Sequence, residues 1–311
     1  MSLNQKIAKN IELGLYNAAR GVSKISYPLS WEKLEIDENR SLWAAYTPNY
    51  KPNPPLTGNH KADLCIIGGG YTGISTAYHF SQQFPSKRVI LLEAKSLANG
   101  ASGRNGGMML NWIYGTGPMD DGMTQRVYGA THQMIEDIES IIKKHDLEVS
   151  YRRAGCFEVF RDQGRANQVR EKVRYLNSIG IPIQFLEKDA VHKNIKLNGV
   201  YGGLFDPSEG QLNGVQFIRE LKPILEERGV VVFENSPVTK INEGKQVEVL
   251  TQSGSITADA IVLATNGYTG KLGYFRKSFS RSIPTSSLLP HFLMRSQKRL
   301  GGMGRPVSLT T

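Results

Sequence analysis

The chain has 311 residues, of which 40% are hydrophobic, and this length allows one large or two moderate domains with packed cores. The sequence lacks a run of about 18 apolar residues, so a membrane-spanning helix is not expected, and the absence of a secretory signal pattern makes the cytoplasm the expected location. Two cysteines and scattered histidines predict neither a disulfide framework nor a metal site.

The formal net charge of +10 would suit a nucleic-acid partner, because a basic surface attracts phosphates. The charge is concentrated, however, since residues 271–311 hold eight Lys and Arg and no acidic residue. Subtracting eight from +10 leaves +2 for residues 1–270, which is ordinary for a globular enzyme. The charge distribution therefore predicts no nucleic-acid partner.

Residues 1–60 are predicted to form an N-terminal helix and an extended arm. Ile7, Ile11 and Leu15 recur near helical spacing, with basic residues elsewhere on the helix. Such a helix either packs on the protein's own surface, which its thin basic face favours, or makes a peripheral membrane contact. Residues 46–61 are rich in Pro and Asn and are expected to lead, extended, into the first strand.

Residues 62–93 have the pattern strand, glycine turn, helix, strand. The apolar runs 64–67 and 89–92 are typical of strands buried on both faces of a parallel sheet. Residues 72–83 between them place Ile74, Ala77, Tyr78 and Ser81 on one helical stripe.

The turn between strand and helix is Gly68-Gly69-Gly70-Tyr71-Thr72-Gly73, a G-x-G-x-x-G motif. Gly68 allows a tight turn, Gly70 lets the backbone approach a pyrophosphate, and Gly73 lets the helix pack close to the strand. The free N–H groups and the dipole of the helix N-terminus attract phosphates. Glu93 ends the second strand, where a carboxylate can accept hydrogen bonds from ribose hydroxyls and repel a 2'-phosphate. This combination predicts dinucleotide binding.

The later elements alternate between helices and strands. A long helix is predicted over 119–146, with Met134, Ile135, Ile138, Ile141 and Ile142 on one face. The segments that follow are a strand over 151–160, a helix over 164–178, extended segments over 182–186 and 200–206, a helix over 213–228, and strands over 230–233, 246–251 and 258–263.

The polar loop Asn99-Gly100-Ala101-Ser102-Gly103-Arg104-Asn105-Gly106-Gly107 can bring backbone N–H groups against an extended ligand. It resembles the A-S-G-R-N-G-G segment of the gamma-glutamylputrescine oxidase group in the D-amino-acid oxidase superfamily. Four other stretches resemble parts of that family: an N-terminal arm (42–47), a D-P-x-x-G-x-L turn (206–212), a segment whose valine contacts adenine (237–241), and an A-T-x-G element (264–267).

The resemblance implies an α/β fold, namely a Rossmann-like (GR2-type) domain that binds FAD, with an interleaved α+β substrate domain. Residues 61–118 and 229–277 would form the first domain and residues 119–228 part of the second. The implied FAD contacts are Gly68, Gly70, Tyr71, Thr72, Gly73, Glu93, Ala94, Gly100, Ala101, Ser102, Gly103, Arg104, Asn105, Gly106, Val238, Ala264, Thr265 and Gly267.

The resemblance also implies a reaction, in which the C–N carbon of a small amine or amino acid transfers a hydride to the flavin and an imine forms. The flavin carries out the difficult step, so the family pattern assigns no catalytic residue to this chain.

Residues 278–311 change in character, because serines crowd together, basic residues are unbalanced and no helix or strand period remains. Members of the family continue well beyond this point with further structured segments. Codons can be chosen for residues 278–311 that spell family-like segments when they are read two nucleotides later. We therefore expect a disordered tail produced by a frameshift that truncates the C-terminal part. The alternative function is an inactive remnant that at most binds a dinucleotide.

Overall fold

The computed structural model describes residues 41–111 and 119–274 together with the strand Val307–Leu309. The helix predicted in residues 1–30 and most of the predicted tail lie outside the described residues. Within these described ranges, no helix is both long and apolar enough to cross a membrane.

The described elements alternate as the sequence predicts. The strands are β1 (Gly58–Ile67), β2 (Val89–Leu92), β3 (Met108–Met109), β4 (Tyr151–Arg152), β5 (Cys156–Phe160), β6 (Gln184–Glu187), β7 (Gly202–Asp206), β8 (Gly210–Leu212), β9 (Val231–Phe233), β10 (Lys240–Asn242), β11 (Val247–Leu250), β12 (Gly254–Leu263) and β13 (Val307–Leu309). The α-helices are α1 (Tyr71–Gln83), α2 (Asp121–Lys144), α3 (Gln163–Ser178), α4 (Lys188–Asn194) and α5 (Gly214–Glu227). Short 3₁₀ helices span Trp43–Tyr46, Ala101–Gly103 and Asn266–Leu272.

The central sheet of the described chain has the strand order β10-β11-β12-β1-β2-β9. β1 pairs in parallel with β2 on one side and with β12 on the other, and β2 pairs in parallel with β9. The carboxyl ends of these strands therefore meet at one edge of the sheet. The strand order reverses around β1, and open α/β sheets bind ligands in the crevice at such a point. The predicted Rossmann-like α/β fold is confirmed.

Alternation along β1 supplies both faces of this sheet with apolar side chains. Leu64 and Ile66 pack with residues of α1 and α5 on one face. Cys65 and Ile67 pack on the other face, where Val249 of β11 helps to close the core. Each fully buried aliphatic side chain contributes about 1.5–3 kcal/mol, so the two cores hold the helices and the β10–β12 meander against the same strand.

A second group of elements lies between β2 and β9 in the sequence. β5, β7 and β6 form an antiparallel sheet, and α3 and α4 contact its strands. β3, β8 and β4 form a smaller sheet that joins the segment after residue 107 to this group. The arrangement agrees with the predicted alternation of helices and strands, whereas the predicted domain boundaries stay predictions.

Two predictions need correction. The strand predicted over 151–160 is divided into β4 and β5, because Gly155 has φ +76° and a Cβ there would lie 2.2 Å from the ring of Phe205. Met134 was predicted to lie on the same helical face as Ile135, but the Met134 side chain is 61% exposed whereas Ile135 is 3% exposed. Met134 lies instead on the wall of a cavity of about 440 Å³ between α1, α2 and α5.

The C-terminal tail also differs in part from the prediction. Val307–Leu309 forms β13, which pairs in parallel with Phe157–Val159 of β5. Disorder was expected for these residues, but they form a strand, because β5 offers them a free strand edge.

The close packing of α1 on β1 provides a test of the fold. A Cβ at Gly73 would lie 1.8 Å from the carbonyl oxygen of Gly68, so Gly73→Ala must push the helix away from the strand. We expect a loss of about 1–3 kcal/mol in the free energy of unfolding, measured by urea denaturation. Gly129→Ala is the matched control, because this helical glycine has open space around it and should gain about 0.5–1 kcal/mol. Equal stabilities for the two variants would contradict the packing.

Candidate functional site

Three consecutive glycines at the end of β1 each approach a different predicted segment. A Cβ at Gly68 would lie 2.5 Å from the carbonyl oxygen of Ala264, and the φ of Gly68 is +115°. The N–H of Gly69 donates to Oε2 of Glu93 at 2.7 Å. A Cβ at Gly70 would lie 2.7 Å from Oγ of Ser102. The turn thus brings the A-T-x-G element, the strand-end acid and the glycine-rich loop together.

The N-terminus of α1 lies at this junction. Gly70 precedes the first helical residue and offers no side chain as a cap. Oγ of Ser102 instead accepts a hydrogen bond from the N–H of Tyr71 at 3.0 Å. Helix N-termini leave N–H groups without intrahelical partners and carry partial positive charge, so the junction suits a phosphate group.

Glu93 follows β2 and turns its carboxylate back towards the glycine turn. Oε2 accepts from Gly69 and Oε1 from the N–H of Lys95 at 3.0 Å. Burial raises the pKa of Glu93 above its usual value, although the hydrogen bonds from Lys95 and Gly69 oppose this shift. Each carboxylate oxygen has two lone pairs, so both can accept a further hydrogen bond from a ligand hydroxyl.

The glycine-rich loop is held in place by its own asparagine and by the N-terminal arm. Asn105 donates from Nδ2 to the carbonyl of Ser102 at 3.0 Å and accepts at Oδ1 from the N–H of Gly107 at 2.8 Å. Nε1 of Trp43 donates to the carbonyl of Asn105 at 2.7 Å. Gly107 has φ +70°, and a Cβ there would lie 2.8 Å from the Trp43 ring. The arm therefore sets the path of the loop.

The other predicted contacts lie at the same edge. The N–H of Ala264 donates to the carbonyl of Ile67 at 2.8 Å, and Oγ1 of Thr265 lies 2.8 Å from Oγ1 of Thr269. Val238 packs partly buried against the second core face. Arg104 is exposed, and its Nε donates to the carbonyl of Asn99 at 3.0 Å. The rest lie within two residues of these contacts along the chain: Thr72, Ala94, Gly100, Ala101, Gly103, Gly106 and Gly267.

Sequence reasoning missed a buried acid beside Glu93. Glu234, directly after β9, is 0% exposed, and its carboxylate accepts hydrogen bonds from Leu97, Tyr50 and Asn53 and contacts Lys222. Its place at the end of a strand next to β2 was the available signal, but its partners are distant in the sequence.

A second buried acidic cluster lies near β3 and β8. The carboxylate of Asp206 accepts from Nδ2 of Asn111 at 3.1 Å and from the hydroxyl of Tyr128 at 3.1 Å, and Oε1 of Glu209 accepts from the N–H of Asn111 at 2.9 Å. Neither acid forms a salt bridge within the described part of the chain, and desolvation raises the pKa of Glu209 to about 8. In the same part of the chain, no cluster of His, Cys, Asp and Glu is suited to a metal ion.

The strand order, the glycine turn and the strand-end acid are those of a Rossmann-type dinucleotide-binding fold. A family model described as FAD dependent oxidoreductase matches residues 63–294. The chain belongs to this family of FAD-dependent oxidoreductases.

Individual relatives agree with this assignment. The chain is similar to gamma-glutamylputrescine oxidoreductase of Escherichia coli (strain K12), with 28% identity over 243 residues that cover 75% of this chain and 56% of that protein. It is similar to the probable oxidoreductase OrdL of Haemophilus influenzae, with 28% identity that covers 69% of this chain and 51% of that protein. The crystal structure of glycine oxidase from Geobacillus kaustophilus has a similar fold, with a TM-score of 0.60, 19% identity, and coverage of 69% of this chain and 58% of that chain.

The extent of these matches bears on the tail. The chain spans about half the length of the curated relatives it matches. The family match continues to residue 294 and so includes residues 278–294 of the tail that was predicted to be out of frame. The predicted frameshift and truncation stay predictions.

The buried carboxyl of Glu209 provides a test of the second cluster. Its folded-state pKa of about 8 exceeds the usual 4.5, so the folded chain binds more protons than the unfolded chain between these values. Stability should therefore fall as pH rises from about 4.5 to about 8, by up to about 1.4 kcal/mol per pH unit from this group. Glu209→Gln keeps the acceptor for Asn111 and should reduce the slope, as measured by urea unfolding at pH 5.5 and 8.5. An unchanged slope would show that Glu209 is charged in the folded chain.

Proposed function

We propose that the chain binds FAD with its ADP half across the carboxyl edge between β1 and β2. The observation that carries this proposal is the set of contacts from Gly68, Gly69 and Gly70 to Ala264, Glu93 and Ser102. These contacts leave only backbone between the end of the strand and the start of the helix, so an extended ligand can approach closely.

The pyrophosphate lies at the N-terminus of α1 in this proposal. The free N–H groups of the first helical turn would donate to it, and the hydroxyl of Ser102, now bound to Tyr71, is placed to donate as well. The loop 100–106 then runs along the phosphates towards the flavin ring, supported by Asn105 and Trp43.

The adenosine lies on the β2 side. The carboxylate of Glu93 would accept hydrogen bonds from the ribose hydroxyls, while Gly69 and Lys95 fix its orientation. Its negative charge disfavours a 2'-phosphate, which selects nucleotides without that group. The backbone of Val238 is proposed to contact the adenine, and Ala264, Thr265 and Gly267 to border the pyrophosphate.

The proposed reaction is oxidation of a C–N bond in a small amine or amino acid. FAD held by the glycine turn 68–70, Glu93 and the loop 100–106 would supply the acceptor for a hydride from the carbon of this bond, and water would hydrolyse the resulting imine. The names of the similar proteins, gamma-glutamylputrescine oxidoreductase and glycine oxidase, support an amine or amino acid as the substrate class. The chain's own part is to bind the cofactor and orient the substrate, and none of its residues is assigned as catalytic.

The role of Glu93 can be tested by titrating the chain with FAD and following quenching of flavin fluorescence. A hydrogen bond to a charged acceptor contributes about 1.5–3 kcal/mol, and about 1.4 kcal/mol changes Kd tenfold. Glu93→Ala should therefore raise the Kd for FAD at least tenfold. Glu171→Ala is the matched control, because Glu171 lies on an exposed face of α3 and pairs only with Arg174 among the described ion pairs. An unchanged Kd for Glu93→Ala would remove Glu93 from the site.

The reaction class can be tested from the absorption spectrum of the chain reconstituted with FAD. Oxidised flavin should bleach when an amine or amino-acid substrate is added without oxygen, because the cofactor takes up two electrons. Gly70→Val should lose both the bound flavin and the bleaching, since its side chain would block the approach of the pyrophosphate. Bound flavin that no amine or amino acid bleaches would favour the alternative, an inactive chain that only binds the nucleotide.

A further inference from the structure

Glu234 links the segment after Glu93 to the N-terminal arm through separate carboxylate oxygens. Oε1 accepts from the N–H of Leu97 at 2.7 Å. Oε2 accepts from the hydroxyl of Tyr50 and the N–H of Asn53, both at 2.8 Å, and lies 3.4 Å from Nζ of Lys222. A fully buried carboxylate needs such partners, because burial without them is very unfavourable.

The Leu97 contact belongs to a series of hydrogen bonds that fixes residues 93–98. Between the strand ends, the N–H of Glu93 donates to the carbonyl of Phe233 at 2.9 Å, and the N–H of Ser236 donates to the carbonyl of Glu93 at 2.9 Å. The N–H of Asn235 donates to the carbonyl of Lys95 at 2.7 Å. Beyond Leu97, the N–H of Ala98 donates to the carbonyl of Gly69 at 3.0 Å. The Leu97 bond adds the Glu234 side chain to this series and fixes the N–H in the middle of the segment, while Nε of Arg219 donates to the carbonyl of Leu97 at 3.4 Å.

The orientation of Glu93 depends on this segment. Its two oxygens accept from Lys95 and from Gly69, and Gly69 is itself tied to the segment through Ala98. A shift of Leu97 would therefore move both donors that aim the Glu93 carboxylate. Such a shift would change how the Glu93 carboxylate faces the ligand, although Glu234 itself is completely buried.

The other oxygen of Glu234 is held by the arm and by α5. Nζ of Lys222 also donates to the carbonyl of Lys51 at 3.0 Å and to Oδ1 of Asn53 at 2.9 Å, and it lies 4.4 Å from the centre of the Tyr50 ring. Burial and the bond to Glu234 raise the pKa of Tyr50, which therefore stays protonated and donates. Glu234 is thus anchored on one side and free to position Leu97 on the other.

We infer that Glu234 is a positioning residue for the nucleotide, which holds residues 95–98 so that the Glu93 carboxylate faces the adenosine ribose. This inference rests on the proposed FAD site. It assigns different roles to two neighbouring acids: Glu93 contacts the ligand, and Glu234 fixes the orientation of the Glu93 carboxylate.

The test compares paired variants in the FAD titration. The double variant Glu234→Leu with Lys222→Met removes the acceptor for Leu97 without leaving a buried charge unpaired. We expect its Kd for FAD to rise at least tenfold. Glu234→Gln with Lys222→Met restores the acceptor and should recover most of the affinity. Tyr50→Phe, which removes only a contact on the arm side, should change Kd less than twofold.

A double-mutant cycle separates positioning from general stability. In a Glu93→Ala background, the Leu/Met double change should alter Kd less than threefold, because the residue being aimed is absent. Equal losses in both backgrounds would overturn the inference. If the Leu/Met variant does not fold, Glu234→Asp serves instead, since it keeps the charge for Lys222 but draws the oxygen away from Leu97. An unchanged Kd for a folded Glu234→Asp variant would also overturn the inference.

The outcomes distinguish this inference from the proposed function. If the parent chain binds FAD and Glu93→Ala weakens binding, but the Glu234 variants bind like the parent, only the positioning role fails. If the parent chain does not bind FAD, both the proposed function and the positioning role fail.

Discussion

Gly73 and the carbonyl oxygen of Gly68 approach so closely that no Cβ fits between them, and this contact lets α1 pack directly against the end of β1. The helix N-terminus is then held at the edge where the parallel strands end. The neighbouring approaches of Gly68 to Ala264 and Gly70 to Ser102 depend on the same close packing. A larger residue at any of these positions would separate segments that must converge for a phosphate to bind.

Two acids at adjacent strand ends show how environment gives the same side chain different tasks. Glu93 is partly exposed and retains acceptor capacity beyond its bonds to Gly69 and Lys95, so it can serve a ligand. Glu234 is completely buried, and its partners come from the arm, from α5 and from the segment after β2. Because Glu234 is completely buried, it cannot reach a ligand, but it can determine where its neighbours lie.

The local parts of this design could be predicted from the sequence. The run 64–67, the glycine turn and Glu93 lie close together in the sequence, and their order and spacing predict the strand, the turn and the helix that the structure contains. Glu234 could not be found in this way, because Tyr50 is 184 residues away and only the folded arm brings it close. The break at Gly155 in the strand predicted over 151–160 and the exposure of Met134 were missed for a similar reason, since the ring of Phe205 and the cavity wall belong to distant segments.

Nucleotide binding at Glu93 and the folding stability contributed by Glu209 are expected to respond to pH in opposite ways. Glu93 must be charged to accept from ribose hydroxyls in the proposed site, so nucleotide binding weakens as pH falls towards its raised pKa. Glu209 is protonated in the folded chain below a pKa of about 8, and its cluster loses stability as pH rises towards that value. Binding of FAD stabilises only the folded state, so its contribution adds to the folding free energy where Glu93 is charged. The chain without FAD should lose the contribution of Glu209 as pH rises towards about 8, and added FAD should stabilise the chain least at pH values near or below the raised pKa of Glu93.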